Sequence, residues 1–480
     1  MLSATDALGN SIIVAMDPAA LQPSAVTDAN GNITEARYDA LGRVIAVAVE
    51  GDVLETAPTV ATSYELGRWA ASALPARTVT TQRTEHGGSE FLYRYSYSDG
   101  GGKLVQEKVS AEDGEVPGET GTISPRWVGT GRTVLNNKEL PVKQYEPFFS
   151  ATEEYEFEDE VVATGVSSTV YYDPPGRATK VKLPNGCLRR VLFDAWKQEF
   201  WDENDCAGDS DCTADGDLTA WAATHTETPT KIHLDHLGRP VATEEYAEQE
   251  GDAIWTVLTL DVAGNPTAIT DARNIVTQAQ VFDLLGRPIH SSSPDAGDGT
   301  VFLDVAGQPL RIWKSGDLQI DFGYDDLRRK TKTLVTEGAS TPRLVEVNEY
   351  GESEGTTLNH RGRLWRQWDT AGRVEVDAYD FKGNPLSSTR RFWDWEAEGE
   401  QVTWGEDLDT WDDGSSEAKL EAEEFTVSQS FDALNRPTTQ TTPDGSITEI
   451  GYNQAALFES VGVKLRGSST LTPFVVETTY

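Results

Sequence analysis

The sequence predicts an all-β fold made of a repetitive antiparallel β-hairpin sheet, and three observations predict it. First, one short pattern recurs: an apolar or aromatic residue, Asp, two residues, Gly, then Arg or Asn. Second, its copies are regularly spaced. Asp283 to Asp304 and Asp304 to Asp325 are 21 residues, Asp261 to Asp283 and Asp6 to Asp28 are 22, and Asp28 to Asp39 and Asp369 to Asp380 are 11. Short strands separated by turns at this spacing indicate an all-β protein. Third, the residues after the Gly alternate, as in Arg43–Val49 and Arg373–Tyr379, which gives each strand one inward and one outward face.

Each part of the unit has a reason. An Asp that opens a turn accepts hydrogen bonds from backbone N–H groups further along. A Gly three residues later takes the positive φ that the reversal needs. The residue before the Asp is an inward anchor, and a single unit cannot bury its face alone, so units stack into a continuous curved sheet. The Asp and Gly residues are therefore read as turn-makers and not as active-site groups.

Residues 1–50 hold repeat strands, with Tyr38, Asp39, Gly42 and Arg43 as a full copy. Residues 51–168 form a less regular β segment, in which Tyr93–Gly100 reads as strand and turn and the acidic run Glu153–Glu160 as a solvated loop or edge strand. Residues 169–480 hold most copies: Tyr172, Asp173, Gly176 and Arg177; Asp235, Gly238 and Arg239; Asp261, Gly264 and Asn265; Asp283, Gly286 and Arg287; Asp304 and Gly307; Tyr324 and Asp325; Trp368, Asp369, Gly372 and Arg373; Tyr379, Asp380, Gly383 and Asn384; Phe431, Asp432 and Arg436. Acidic loop insertions fall near 202–227 and 395–424, with a shorter loop at 293–300 and a short helix expected around Glu417–Glu423.

Length and charge narrow the function. At 480 residues the chain exceeds the size at which one compact core stops growing. Only 38% of residues are hydrophobic and 42 are Gly, which suits strands with wet outer faces. The net charge of −39, from 40 basic and 79 acidic residues, argues against nucleic acid and against an anionic membrane surface. It fits solubility, a salty medium, or an acidic wall facing a basic guest. No apolar run reaches 18 residues, so no membrane insertion is expected. The N-terminus lacks a signal-peptide pattern, and the chain reads as a piece of a longer or split protein.

Few groups invite chemistry. Three cysteines, Cys187, Cys206 and Cys212, are too few for a disulfide framework, although Cys206 and Cys212 are near enough in sequence to close a small loop. The oxygen-rich stretch Asp202–Asp217 offers Asp205, Asp209, Asp211, Asp215 and Asp217 to calcium, but its spacing misses the helix–loop–helix calcium pattern, so no metal is assigned. His233 and Asp235 are expected on one strand face, with too few further ligands for zinc. No nucleophile elbow, phosphate loop, zinc-protease or dinucleotide motif occurs, so the chain is read as non-catalytic and without a cofactor. Trp127, Trp196, Trp201, Trp221, Trp255, Trp313, Trp365, Trp368, Trp393 and Trp395 are read as wall anchors or as sugar-stacking platforms, and the 395–424 loop also carries Trp404 and Trp411.

At these residues the sequence resembles the tyrosine–aspartate (YD) repeats of Rhs and teneurin proteins, and more closely the middle region of the B component of insecticidal toxin complexes. The resemblance rests on Val26–Asn32 running into Arg37–Arg43, on Pro125–Arg132 followed by Asn136–Lys138 and Pro141–Ser150, on Tyr350–Glu352 with Asn359–Arg363 and Tyr379–Asn384, and on Phe431–Pro437. It implies a YD-repeat sheet that spirals into part of a hollow shell. It also implies two partners: a C component carrying a toxic domain held inside, and a pore-forming A component through which that domain is delivered. The implied location is secreted or cell-surface. The resemblance covers the wall, and lacks the family's pore-docking propeller, self-cleavage motif and toxin domain. The alternative is an extracellular adhesin or carbohydrate-binding YD-repeat module, which exposed tryptophans on the 395–424 loop would favour.

Overall fold

The computed structural model describes the whole chain except residues 163–164, 214–225, 248–252 and 410. It is nearly all antiparallel β, with 49% strand and 5% helix, in long sheets that do not close into a barrel. The chain divides into two compact units. One comprises Met1–Val128, Phe149–Tyr155 and Ile320–Tyr480, and the other Gly129–Phe148 and Glu156–Gln319.

The first unit contains two runs of strands. One is a sheet from Leu2–Thr5 to Arg126–Thr130 in chain order, closed at its far edge by Phe148–Ser150. The other runs in chain order from Lys330–Glu337 to Thr472–Val475. Residues 51–111 supply some of the longest strands, Ala76–Arg83, Phe91–Ser98 and Leu104–Ala111, joined by turns of varied sequence. The turn between Arg83 and Phe91 departs from the motif, whereas Asp99–Lys103 keeps it, with the Gly101 and Lys103 N–H groups on Asp99 Oδ1 at 2.9 Å, Gly102 at φ +83° and Lys in place of Arg, which is why reading by letter finds few copies here.

The acidic run is not merely solvated. Glu154 neutralises Arg68 and Arg77, whose side chains are only 13% and 16% exposed. Burial opposes ionisation of Glu154, but the two guanidiniums hold its carboxyl below the ordinary range. Beside it the fully buried Tyr97 donates its hydroxyl to the Glu153 carbonyl. Two buried cations need a counter-charge more than the run needs water.

The second run of this unit carries the main apolar cluster: Leu334, Leu344, Val347, Trp368, Trp393, Trp404 and Leu420, with Val402, Leu408 and Trp411 packed against it. The 395–424 insertion thus folds back over its own sheet. Trp404 is 2% exposed, stacks edge-on against Trp368 and Trp393 at 5.1 and 5.0 Å, and donates its Nε1–H to the Asp369 carbonyl at 3.1 Å. The expected helix lies earlier, at Asp413–Glu417, because the Asp412 carboxylate accepts the Ser415 N–H at 3.0 Å and caps it there. Gly399 ends a second short helix, Trp395–Glu398, begun by the Asp394 cap.

The second unit is one run of strands in chain order from Thr133–Leu135 and Pro141–Tyr145, through Ser167–Tyr172, to Pro309–Lys314. Each pairs antiparallel with its sequence neighbours, and this run holds the Asp173, Asp235, Asp261, Asp283 and Asp304 copies of the motif.

Candidate functional site

The feature that repeats, and so carries whatever the fold does, is the turn. At Asp39 the backbone N–H bonds the Arg43 carbonyl at 2.9 Å, and the Gly42 N–H returns to the Asp39 carbonyl at 3.0 Å. Oδ1 of Asp39 accepts the Leu41 and Arg43 N–H groups at 2.9 and 3.0 Å, and Oδ2 takes Nε of Arg43 at 2.7 Å. One carboxylate thus satisfies two otherwise unpaired amides and anchors the arginine. The same geometry holds at Asp235–Arg239, Asp283–Arg287, Asp325–Arg329 and Asp432–Arg436, and at Asp173–Arg177 with the Gly176 N–H in place of the one that Pro175 lacks. Asn replaces Arg at Asp261–Asn265 and Asp380–Asn384, donating Nδ2 to Oδ2 at 2.9 and 2.8 Å. At Asp304 the backbone part is kept, with the Gln308 N–H on Oδ1 at 2.9 Å.

At Asp235 these bonds hold the carboxyl low. Asp235 falls from an ordinary 3.8 to about 2, first through the Arg239 backbone N–H and then through its side chain. The position three residues after the Asp takes positive φ: +76° at Gly42, +96° at Gly176 and +100° at Gly383. Arg328 and Asn435 hold the same place at 61° and 64° without being Gly.

The tyrosine before the Asp, or before Asn453 in the last case, closes the link between repeats. Tyr38 donates its hydroxyl to the Pro23 carbonyl at 2.7 Å, Tyr172 to Pro141 at 2.6 Å, Tyr379 to Leu364 at 2.6 Å and Tyr452 to Pro437 at 3.0 Å. In the other direction the turn arginine lies over the next repeat's ring: Arg43 over Tyr64 at 4.2 Å, Arg177 over Phe193 at 4.3 Å, Arg329 over Tyr350 at 3.8 Å and Arg436 over Tyr452 at 4.1 Å. At these positions a hairpin is clamped to its neighbour by a hydroxyl, a cation–π contact or both. Successive turns also stack. A Cβ on Gly264 would meet Arg239, and one on Gly307 would meet Arg287, whose Nη1 donates to the Asp304 carbonyl at 3.3 Å.

In the first unit the turns of the second run also meet the ends of the first sheet. Asn30 and Asn32 bond Arg361 and Asn359, the Ala433 N–H donates to the Thr84 carbonyl at 2.9 Å, and the His86 ring meets Phe381 at 5.2 Å.

Sequence reasoning missed several turns of the same kind. Asn136, Asp271 and Asn453 open loops of the same form, in which Glu139, Asn274 and Ala456 stand at the Gly position with φ near +60°. The usable signal is an Asx five residues ahead of the first residue of a strand. One apparent copy differs. Asp369 pairs directly with Gly372 in a two-residue hairpin, and its carboxylate binds Arg390 at 2.8 and 2.9 Å, while Arg373 turns to Glu375 and Glu417.

The other candidates are placed as follows. Asp205 Oδ1 accepts the Thr228 N–H and hydroxyl, Asp209 pairs with Arg190, and Asp211 with Lys180 at 2.9 Å; Asp215, Asp217 and Trp221 lie outside the described residues. No group of three or more His, Cys, Asp or Glu placed to hold a metal occurs among the described residues. His233 does not share a strand face with Asp235, because the strand ends at Leu234 and Asp235 opens the turn; its Nε2 shares a hydrogen bond with Glu244 at 2.9 Å. In the 395–424 loop Trp404 and Trp411 belong to the core, and Trp395 is exposed. The buried Trp404 offers no platform to a sugar, and Trp411 packs its ring against the same cluster.

No family model matches the chain. No curated protein matches it either. Solved structures do. The crystal structure of TcdB2–TccC3 superposes with a TM-score of 0.89 at 23% identity, covering 100% of this chain and 25% of that one. The form of TcdB2–TccC3 without its hypervariable C-terminal region gives 0.88 at 22%, and the Photorhabdus luminescens Tc holotoxin pore with a mutated TccC3 gives 0.89 at 22%. In both, the chain covers 27% of its counterpart and is itself covered completely. At these identities the likeness is one of fold, and the chain spans about a quarter of the length of the structures it matches.

Proposed function

We propose that the chain is a wall segment of a toxin-complex B component, which with a C component encapsulates a toxic cargo domain for delivery through a pore-forming A component. The observation that carries this is the superposition of the chain over its full length on TcdB2–TccC3 at a TM-score of 0.89. The turn chemistry supports it. The repeats direct their polar groups to their own turns and their neighbours, which suits a sheet that serves as a wall. The role is containment, is non-catalytic, and is carried out outside the producing cell. The charge of −39 suits a wall that holds a basic, unfolded guest loosely.

The test is electron microscopy of the purified protein, alone and with its C-component chain. A closed hollow particle with internal density in the mixture is expected. An open rod without a lumen, unchanged by the partner, would refute the proposal.

A further inference from the structure

The loop after the Lys197–Trp201 strand, Asp202–Thr213, folds back over the hairpin formed by Ala178–Lys182 and Leu188–Phe193. Lys180 holds Asp211 at 2.9 Å and Arg190 holds Asp209. Close to these two ion pairs the Thr213 N–H donates to the Gly186 carbonyl at 3.0 Å. Cys187 follows that carbonyl and Cys212 precedes that N–H. The two cysteines therefore lie one residue from either end of a direct backbone hydrogen bond between the loop and the hairpin turn. A disulfide spans Cα separations of about 4.4–6.8 Å.

The third thiol has other company. Cys206 is 1% exposed, and its burial raises its thiol while the Arg190 guanidinium beside it acts the other way. Cys187 is also raised, by burial first and then by the Cys212 thiol next to it. Cys212 is the most accessible of the three.

From this placement we infer that Cys187 and Cys212 are an oxidative modification site, closing a disulfide that fastens the Asp202–Thr213 loop to the sheet. By sequence, Cys206 and Cys212 are near enough to close a small loop, but the odd cysteine count favours no disulfide dependence; the fold brings Cys212 toward Cys187. A glutathione disulfide serves as oxidant. The Cys212 thiolate attacks one of its sulfurs, the S–S bond breaks and one glutathione leaves. The Cys187 thiolate then attacks Cys212 Sγ, and the second glutathione leaves. Two protein thiols lose two protons and two electrons, and one glutathione disulfide becomes two glutathiones. The site is independent of the proposed containment role, although an extracellular setting would keep such a bond closed.

The experiment treats the full chain with oxidised glutathione, blocks remaining thiols with iodoacetamide under denaturing conditions, and maps peptides without reduction. The free thiols fall from three to one, and one peptide pair joins Cys187 to Cys212. Cys206→Ser retains the bridge, and Cys212→Ser leaves Cys187 unbridged. Protease cleavage within the loop is slower in the bridged form. A Cys206–Cys212 link, three remaining thiols, or loss of the bridge in Cys206→Ser overturns the inference.

Discussion

Asp432 tests whether the repeated carboxylate holds the sheet together. Its side chain is 3% exposed. Oδ1 accepts the Leu434 and Arg436 N–H groups at 2.8 and 2.9 Å, and Oδ2 takes Nε of Arg436 at 2.6 Å. Asp432→Ala leaves two amides without their acceptor and a guanidinium without its anion. A neutral bond contributes about 1 kcal/mol net and a charged one about 1.5–3. Three bonds sharing one group are not additive, so about 3 kcal/mol is expected. Asp432→Asn keeps an oxygen for the amides and loses the charge, costing about 1–2 kcal/mol. A repeat array opens locally, so one global transition is the wrong readout. Hydrogen-exchange mass spectrometry over Phe425–Phe431 and Pro437–Thr441 reads the local opening directly. About 3 kcal/mol corresponds to roughly a hundredfold faster exchange, at about 1.4 kcal/mol per factor of ten. Exchange within about threefold of the parent, or equal effects of Ala and Asn, would refute the account.

Acid should dismantle the turns in a defined window. Asp235 titrates at about 2 in the folded chain against 3.8 ordinarily, and Asp39, Asp173, Asp261 and Asp283 are lowered too. A depressed folded pKa contributes stability that is complete above the unfolded value and is lost as pH falls through the folded one. Tryptophan fluorescence and near-ultraviolet circular dichroism should therefore hold down to about pH 4 and change between about 4 and 2; a transition centred above about pH 5 would contradict this. Gly372→Ala should cost about 3 kcal/mol or abolish soluble expression, because φ is +134° and a Cβ would lie 2.2 Å from the Arg391 carbonyl oxygen. Gly208→Ala, in open space, should stay within about 0.5 kcal/mol of the parent when both variants are compared by hydrogen exchange. Trp404→Ala should cost about 3–5 kcal/mol and open 395–424 to a glutamate-specific protease, while the exposed Trp395→Ala should leave the digestion pattern unchanged.

Much of this was legible in the sequence. The turn is a local object: Asp, the residue three places on and the Arg or Asn four places on bond one another, so their spacing alone encodes the geometry at Asp39, Asp235 and Asp283. Alternation after each turn encodes strands for the same reason, since a pleat repeats every two residues. Reading by letter failed where the geometry tolerates other letters, at Asn136, Asp271 and Asn453, and where the letters occur without the geometry, at Asp369.

What the sequence by itself determined is therefore the unit and its period. Tertiary structure alone decided what each unit leans on. That Arg43 covers Tyr64, that Glu154 neutralises Arg68 and Arg77, that Trp404 closes the core over Trp368, and that Cys212 lies by Cys187 are long-range pairings. Apart from Arg43–Tyr64, whose separation of 21 residues equals the repeat period, none has a spacing signature, because a loop of almost any length closes for a small difference in entropy. Charge neutralisation and apolar burial then select which ends meet, and both depend on where the whole sheet has brought the side chains.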